Sequence, residues 1–283
     1  MLLKVPSKTF RTNNFPLVVG VLNITPDSFY DGGKYNNLRN IYKLVEKYLD
    51  EGADIIDIGA ESTRPGSKRV SFEEEKRRLF PIINKVIKKY NPIISLDTMK
   101  SEIAKIGLDH GVEIINDATG FMYDQRMPEV IANYKCGLII NHTSGLPDVM
   151  QTKTNYRNLI KDIIRFFESI LDTCKRNNIS RNSLVLDPGI GFGKTLNQNI
   201  NLIKKADKFK VFKRPIMYGI SNKSFIGNIL DLKNPDERVN GSIISSLFSI
   251  MNGVNIIRTH NVKETVEMIK MWRVLKWFLV LME

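Results

Sequence analysis

Short apolar runs alternate with longer amphipathic stretches along most of the chain. Each run ends in Gly, Asn, Asp or Ser, and apolar residues then recur with the period of a helix, which is typical of β-α units. The predicted strands are LVVGVLN, DIIDIGA, PIISLDT, EIINDA, GLIINH, SLVLDPG, PIMYGIS and VNIIRTH. Predicted helices include LRNIYKLVEKYLDEG, FEEEKRRLFPIINKVIKKY, YRNLIKDIIRFFESILDTCKRNN and PDERVNGSIISSLFSIMNG.

The number of these units predicts the fold class. About eight β-α units in 283 residues favour an α/β protein with a single (β/α)8 barrel, whose active site lies at the C-terminal ends of the strands. A doubly wound open sheet is the alternative. The sequence contains no linker, low-complexity tract or change in composition, so we expect residues 1–283 to form one domain.

Charge and cysteine usage narrow the class of partner. The net charge is +12, yet Lys and Arg are scattered and often stand beside Glu, as in SFEEEKRRL. This pattern favours a solvated surface or an anionic small substrate over nucleic acid. Cys136 and Cys174 lack metal-ligand spacing, and two cysteines are too few for a disulfide framework. Because no signal peptide is evident either, we expect the protein in the reducing cytoplasm. The apolar tail MWRVLKWFLVLM is too short and basic to span a bilayer, so no membrane partner is expected.

Polar residues interrupt the apolar pattern at or just past the predicted strand ends. They are Asn23, Glu61, Arg64, Asp97, Asn116, His142, Asp187, Lys223, Arg258 and His260. Each alone has an ordinary structural explanation, such as a helix cap or a buried histidine with satisfied hydrogen bonds. Because the strand ends of a barrel converge on one mouth, the whole set predicts a single site.

The chemistry of these residues indicates a ligand with two different ends. Asp97, Asn116 and Asp187 suit the N–H-rich edge of a nitrogen heterocycle. Asn23, Arg64, Arg258 and His260 suit an anionic oxygen cluster such as a phosphate or pyrophosphate. No Ser-His-Asp arrangement or cysteine nucleophile is evident, and three histidines in all argue against a His-rich metal site.

The glycine-rich stretch LVLDPGIGFGKT resembles a nucleotide-binding loop only superficially. Pro188 stands where a Walker A loop requires its first glycine, and Lys194 stands where the dinucleotide pattern requires its last. The remaining features are a buried strand that ends in Asp187 and a flexible loop. We therefore do not expect this loop to bind a nucleotide.

Several motifs together resemble the dihydropteroate synthase family. They are VGVLNITPDSFYDGG, GADIIDIGAESTRPGS, ISLDT, IINDATG, LDPGIGFGKTLNQN, GISNKSFIG and GSIISSLFSIMNGVNIIRTHNVKET, and they cover nearly the whole chain. The related pterin-dependent methyltransferases share the barrel but not this set of loops. The resemblance implies condensation of 6-hydroxymethyl-7,8-dihydropterin pyrophosphate with p-aminobenzoate, which gives 7,8-dihydropteroate and pyrophosphate.

The resemblance also implies roles for individual residues. Asp97, Asp187 and Lys223 would be catalytic. The expected ligand-binding residues are Asp97, Asn116, Asp187, Phe192 and Lys223 for the pterin, Asn23, Arg64, Arg258 and His260 for pyrophosphate, and Thr63, Arg64 and Ser224 for p-aminobenzoate. Asn23 would also reach a Mg²⁺ ion that rides with the pyrophosphate. A homodimer, a cytoplasmic location and inhibition by sulfonamides are further expectations from the family.

Three places depart from the family pattern. Asn141 and Thr143 flank His142 where methionine is common, Asn222 replaces an arginine, and Asn261 replaces an aspartate. A polar residue at position 141 would weaken apolar contact with the pterin ring. These departures leave open a catalytically impaired or silent pterin-binding protein, which turnover would distinguish from a working enzyme.

Overall fold

The computed structural model describes residues 1–13, 15–24, 34–61, 67 and 69–280. Eight parallel strands follow the predicted runs: β3 Leu17–Asn23, β4 Ile55–Gly59, β5 Ile94–Asp97, β6 Ile114–Asp117, β7 Gly137–Asn141, β8 Leu184–Asp187, β9 Met217–Gly219 and β10 Ile256–Thr259. Their order is β8-β7-β6-β5-β4-β3-β10-β9, and a parallel bridge between Leu186 and Ile216 brings β8 next to β9. This nearly closed ring confirms the predicted (β/α)8 barrel and excludes the open sheet.

Helices surround the strands. They are α1 Lys34–Asp50, α2 Phe72–Tyr90, α3 Ser101–Asp109, α4 Met127–Tyr134, α5 Leu159–Arg176, α6 Leu196–Lys204, α7 Ser224–Leu230, α8 Val239–Met251 and α9 Val262–Val280. Short 3-10 helices lie at Met150–Thr152, Arg181–Ser183, Ala206–Phe212 and Pro235–Arg238. Local sequence starts several helices: the Ser71 hydroxyl accepts the Glu74 N–H, and Thr195 with Gln198 forms a capping box. No helix in the described ranges is long and apolar enough to cross a membrane.

A short hairpin at the start of the chain was not predicted. Strands β1 Leu2–Lys4 and β2 Thr9–Arg11 pair antiparallel. Leu3, Val5 and Phe10 are buried in the same apolar cluster as the inward-facing residues of the barrel. The hairpin therefore covers one end of the barrel interior with these side chains. Its strands have only three residues each, which is too short for an alternating pattern to be recognised in the sequence.

Strand alternation divides the barrel core into an inner and an outer layer. The inner cluster contains Leu17, Val19, Ile55, Ile114, Ile139, Val185, Met217 and Ile256. Their neighbours along the strands, such as Ile56, Ile115 and Ile140, pack in the outer cluster with the helices. Two residues beyond the inner apolar positions come Asp57, Asn116, Asn141, Asp187 and Arg258, which therefore form a polar layer at the C-terminal end of the barrel.

Candidate active site

An ion-pair network forms the floor of the barrel mouth. The guanidinium of Arg258 donates from Nε and Nη2 to Asp57, with a closest approach of 2.6 Å, and from Nη2 to Asp97 at 2.9 Å. Asn116 donates its amide to Asp57 at 3.2 Å. All three carboxylate and amide side chains are buried. Strands β4, β5, β6 and β10 thus bring together residues that are far apart in sequence.

The charges on this floor are unbalanced toward the negative. Burial raises the pKa of Asp97, the Arg258 guanidinium lowers it, and the nearby Asp57 carboxylate raises it again. The same two carboxylates raise the pKa of Arg258 against the effect of burial, so that the guanidinium stays charged. Two carboxylates that share one guanidinium favour a ligand that brings N–H donors or positive charge.

Asp187 occupies the same polar layer at the end of β8. Its carboxylate is buried and accepts the N–H of Gly189 at 2.8 Å. Burial raises the pKa of Asp187, whereas Lys223, this N–H and Arg258 lower it. The turn after Asp187 requires glycine, because Gly189 has φ +75° and a Cβ there would collide with the carbonyl oxygen of His142.

Lys223 lies beside this turn. Its ammonium group hydrogen-bonds the carbonyl oxygen of Ile190 and lies 4.8 Å from the centroid of the Phe192 ring. Burial lowers the pKa of Lys223 to about 8, although Asp187 raises it. The structure therefore brings Asp187, Lys223 and Phe192 together. Ser224 follows as the exposed first residue of α7.

A second group of residues lies where β3 and β10 end. The Asn23 amide nitrogen is 3.3 Å from Nε2 of His260, and Nδ1 of His260 is 3.3 Å from the Ser221 hydroxyl. Ser221 donates to the Asn261 amide oxygen at 3.2 Å. The imidazole of His260 therefore lies between Asn23 and Ser221, and Ser221 links it to Asn261. Asn261 thus orients the imidazole through Ser221.

The Asn23 side chain is compatible with a divalent ion held mainly by its substrate. Because its amide nitrogen faces His260, its amide oxygen points away from the ring. Within the described ranges, no three or more His, Cys, Asp or Glu side chains are grouped so as to hold a metal. A single amide oxygen from the protein is sufficient for Mg²⁺, because this ion usually keeps several water molecules and substrate phosphate oxygens as its other ligands.

His142 was expected at the mouth, but its ring makes its contacts elsewhere. His142 follows Asn141 on the opposite face of β7, and its ring packs edge-on to Phe166 of α5 at 4.9 Å. Its Nδ1 lies 3.1 Å from the ammonium of buried Lys194, which also donates to the Phe192 carbonyl at 2.8 Å. His142 is therefore a buried histidine whose Nδ1 faces Lys194, and the Lys194 ammonium donates to the carbonyl oxygens of Phe192 and His142.

Glu61 belongs to a buried charge cluster that the sequence did not reveal. The ammonium of Lys100 donates to the carboxylates of both Glu61 and Glu75, and Thr98 donates to Glu75 at 2.7 Å. Glu75 lies in the charged stretch SFEEEKRRL, yet it is fully buried. Burial raises the pKa of Glu75, and Lys100 lowers it.

Asp57 is the floor residue that the sequence prediction omitted. The available signal was a carboxylate inside the apolar run IIDIG, where burial has to be compensated. Thr63 and Arg64 lie outside the described residues, as do positions 25–33.

The family model for "Pterin binding enzyme" matches residues 19–260. The dihydropteroate synthase of Synechocystis sp. is 38% identical over 275 residues, which cover 96% of this chain and 95% of that protein. The dihydropteroate synthase of Clostridium difficile, solved in the presence of pteroic acid, is 37% identical with a TM-score of 0.88 and covers 94% of this chain and 98% of its own. The Yersinia pestis enzyme, solved with a sulfonamide drug complex, is 36% identical with a TM-score of 0.91, covering 98% and 99%.

Fold and site define a pterin-binding (β/α)8 barrel, and the chain belongs to the pterin binding enzyme family. Within that family it is a dihydropteroate synthase, a transferase of folate biosynthesis. The family assignment made from the sequence motifs is confirmed.

Proposed function

We propose that the barrel mouth joins the amine of p-aminobenzoate to 6-hydroxymethyl-7,8-dihydropterin pyrophosphate, forming 7,8-dihydropteroate and releasing pyrophosphate. The observation that carries this proposal is the buried polar layer at the barrel mouth. Asp57, Asp97, Asn116 and Asp187 present oxygen acceptors, and Asn23 with His260 adds a polar rim. The complexes of the similar enzymes with pteroic acid and with 4-aminobenzoic acid support the same pair of substrates.

The floor would recognise the pterin through hydrogen bonds to its edge. Asp187 would accept from the amino and ring N–H groups, and Asn116 and Asp97 would bind the rest of that edge. Lys223 would donate to the carbonyl side of the ring, with Phe192 alongside. Asp57 would orient Arg258 and Asn116, since it accepts hydrogen bonds from both.

The rim would hold the pyrophosphate. Arg258 uses Nε and Nη2 for carboxylates, so Nη1 would be its donor to an anionic oxygen. His260, Asn23 and Arg64 would complete this part of the site. A Mg²⁺ ion that arrives with the pyrophosphate would be met by the Asn23 amide oxygen, and it would neutralise charge on the leaving group.

The reaction would begin with cleavage of the bond between the pterin methylene carbon and the pyrophosphate oxygen. The resulting cation delocalises into the dihydropterin, and the carboxylates of Asp97 and Asp187 would stabilise it electrostatically. The neutral amine of p-aminobenzoate would then form the new carbon–nitrogen bond and lose a proton. Thr63, Arg64 and Ser224 would position this second substrate, for which sulfonamides would compete.

Pyrophosphate release tests this function directly. The assay supplies dihydropterin pyrophosphate and Mg²⁺ with and without p-aminobenzoate, and compares wild type with Asp187→Ala and with the surface control Asp207→Ala. We expect release that requires the aromatic amine, disappears in Asp187→Ala and persists in Asp207→Ala. Tight pterin binding without turnover in wild type would instead identify a silent pterin-binding protein.

We also propose a homodimer formed through α8 and α9, which pack against each other. Ile244, Phe248 and Met251 share one exposed face of α8, and α9 exposes Met271, Val274 and Leu275. Contiguous exposed apolar side chains mark interaction surfaces. A cytoplasmic location remains a prediction, supported by two buried cysteines that form no disulfide.

A further inference from the structure

Asn141 belongs to the polar layer at the barrel mouth, but no role in ligand binding has been assigned to it above. It is the last residue of β7, two positions beyond the inward-facing Ile139, so alternation places its side chain inside the barrel. It stands in register with Asp187 on β8, and β6, which carries Asn116, flanks its other side. Its side chain is buried, with 4% relative exposure.

The hydrogen bonds of Asn141 fix the orientation of its amide. One end of the amide lies 3.1 Å from the carbonyl oxygen of Ala118 and 3.2 Å from that of His142. Carbonyl oxygens only accept, so this end is the Nδ2 donor and the other end is Oδ1. Across the part of the chain that the structure describes, no group donates to Oδ1. Among the described residues, the polar side-chain atoms that are both fully buried and without a partner belong to Tyr42, Ser95 and Arg214, so Oδ1 of Asn141 is accessible. Oδ1 is therefore an acceptor open to the cavity.

We propose that Asn141 is a specificity-determining residue, whose Oδ1 accepts a hydrogen bond from an N–H group of the bound heterocycle beside Asp187. The inference rests on the proposed pterin site and adds Asn141 to the side chains assigned to the pterin edge, which are Asp97, Asn116 and Asp187. A neutral amide oxygen accepts a hydrogen bond from an N–H group without adding charge to a floor that already carries several carboxylates. It also selects against a heterocycle with a bare ring nitrogen at that point, because two acceptors would face each other.

This role reverses the expectation that a polar residue here only weakens contact with the ring. Nδ2 is committed to two backbone carbonyls, so the amide cannot turn away without leaving buried groups unsatisfied. The backbone of β6 and β7 thus holds Oδ1 in place before a ligand arrives. Such preorganisation lets a hydrogen bond contribute to selectivity.

Paired ligands test the hydrogen bond separately from any structural role of Asn141. Dissociation constants are measured by calorimetry for 6-hydroxymethyl-7,8-dihydropterin, its fully oxidised form and its analogue without the 2-amino group. Proteins are wild type, Asn141→Leu and the exposed control Asn133→Leu. We expect removal of the contacted N–H to weaken binding about five- to tenfold more in wild type and the control than in Asn141→Leu.

A merely structural role for Asn141 predicts a different pattern. Loss of the bonds to Ala118 and His142 would weaken all three ligands by the same factor, and equal ligand ratios in wild type and Asn141→Leu would overturn the proposal. Failure of wild type to bind any of the three would overturn the pterin function itself, which is a distinguishable result.

A crystal structure of wild type with the dihydropterin keeps the test decisive if Asn141→Leu does not fold. We expect Oδ1 to lie within about 3.2 Å of a ligand nitrogen that carries hydrogen. A separation beyond about 3.5 Å from every such nitrogen overturns the proposal even if the pterin occupies the mouth.

Discussion

Arg258 on strand β10 and Asp57 on strand β4 form a 2.6 Å ion pair inside the barrel. The same guanidinium serves Asp97, so one positive charge supports two buried carboxylates. This arrangement makes the floor both a structural and a binding element. Removing the positive charge should therefore affect stability as well as ligand affinity.

Arg258→Met should destabilise the protein by about 3–5 kcal/mol near neutral pH, because Asp57 and Asp97 would remain buried without a counter-charge. The pKa of Asp97, already raised by burial, should rise further. The folded state then binds a proton that the unfolded chain releases, so the stability of the variant should recover as pH falls toward about 5.5. Urea unfolding at both pH values measures this, with the exposed Arg165→Met as control. A pH-independent loss would contradict the charge argument.

Pterin affinity should fall as pH rises through about 8, the lowered pKa of Lys223. Below this pH the ammonium is charged and donates a charge-assisted hydrogen bond, whereas above it the amine is neutral. We expect a loss of about three- to tenfold, measured by calorimetry across this range. Lys223→Arg stays charged and should remove this part of the profile, while any titration of the ligand itself persists. Identical profiles for both proteins would exclude Lys223 as the cause.

Gly189→Ala should disrupt the support of Asp187. A Cβ at this position meets the carbonyl oxygen of His142, and φ of +75° is unfavourable for alanine. The backbone must move, which displaces the N–H that holds the Asp187 carboxylate. We expect pterin affinity to fall about tenfold or more and stability to fall by about 1–3 kcal/mol.

The matched control is Gly145→Ala in the neighbouring loop. A Cβ there makes only ordinary contacts, the closest at 3.4 Å to Val149, and its effect on pterin affinity should be small. Equal losses in the two variants would contradict a specific role for the Asp187 turn.

Ile244→Glu should convert the proposed dimer to a monomer. Ile244 is 68% exposed on the apolar face of α8, so a carboxylate costs little in the monomer but becomes desolvated in an interface. Sedimentation velocity measures the change. Met122→Glu, at a partly exposed apolar residue of the β6–α4 loop, should leave the dimer intact. A wild-type monomer, or dimers of both variants, would contradict the assignment of this face.

Periodicity was sufficient for the barrel because it reports burial directly. All eight predicted strands are present, since each is a short apolar run that is followed by a helical segment. Asp97, Asn116 and Asp187 were recognised because they end such runs. The hairpin of β1 and β2 was missed because its three-residue strands leave too little pattern, and its role depends on filling a cavity made by distant residues.

Glu75 shows where local pattern misleads. In SFEEEKRRL it reads as one of three surface charges, but helix α2 turns it toward the core on the same side as Leu79. Its burial is tolerated because Lys100 and Thr98 come from the β5–α3 connection. Because the groups that compensate the buried Glu75 charge come from another segment, the sequence of helix α2 alone does not show that Glu75 is buried.

The sequence by itself determined the barrel, the family and most of the polar residues near its mouth, because burial period and motif spelling are local properties of the chain. Only the tertiary structure decided which charges pair. It placed Arg258 on Asp57, turned His142 toward Lys194, and left the amide oxygen of Asn141 open to the cavity. These outcomes depend on strand register and on which face each side chain takes, so they arise only when the ring of strands closes.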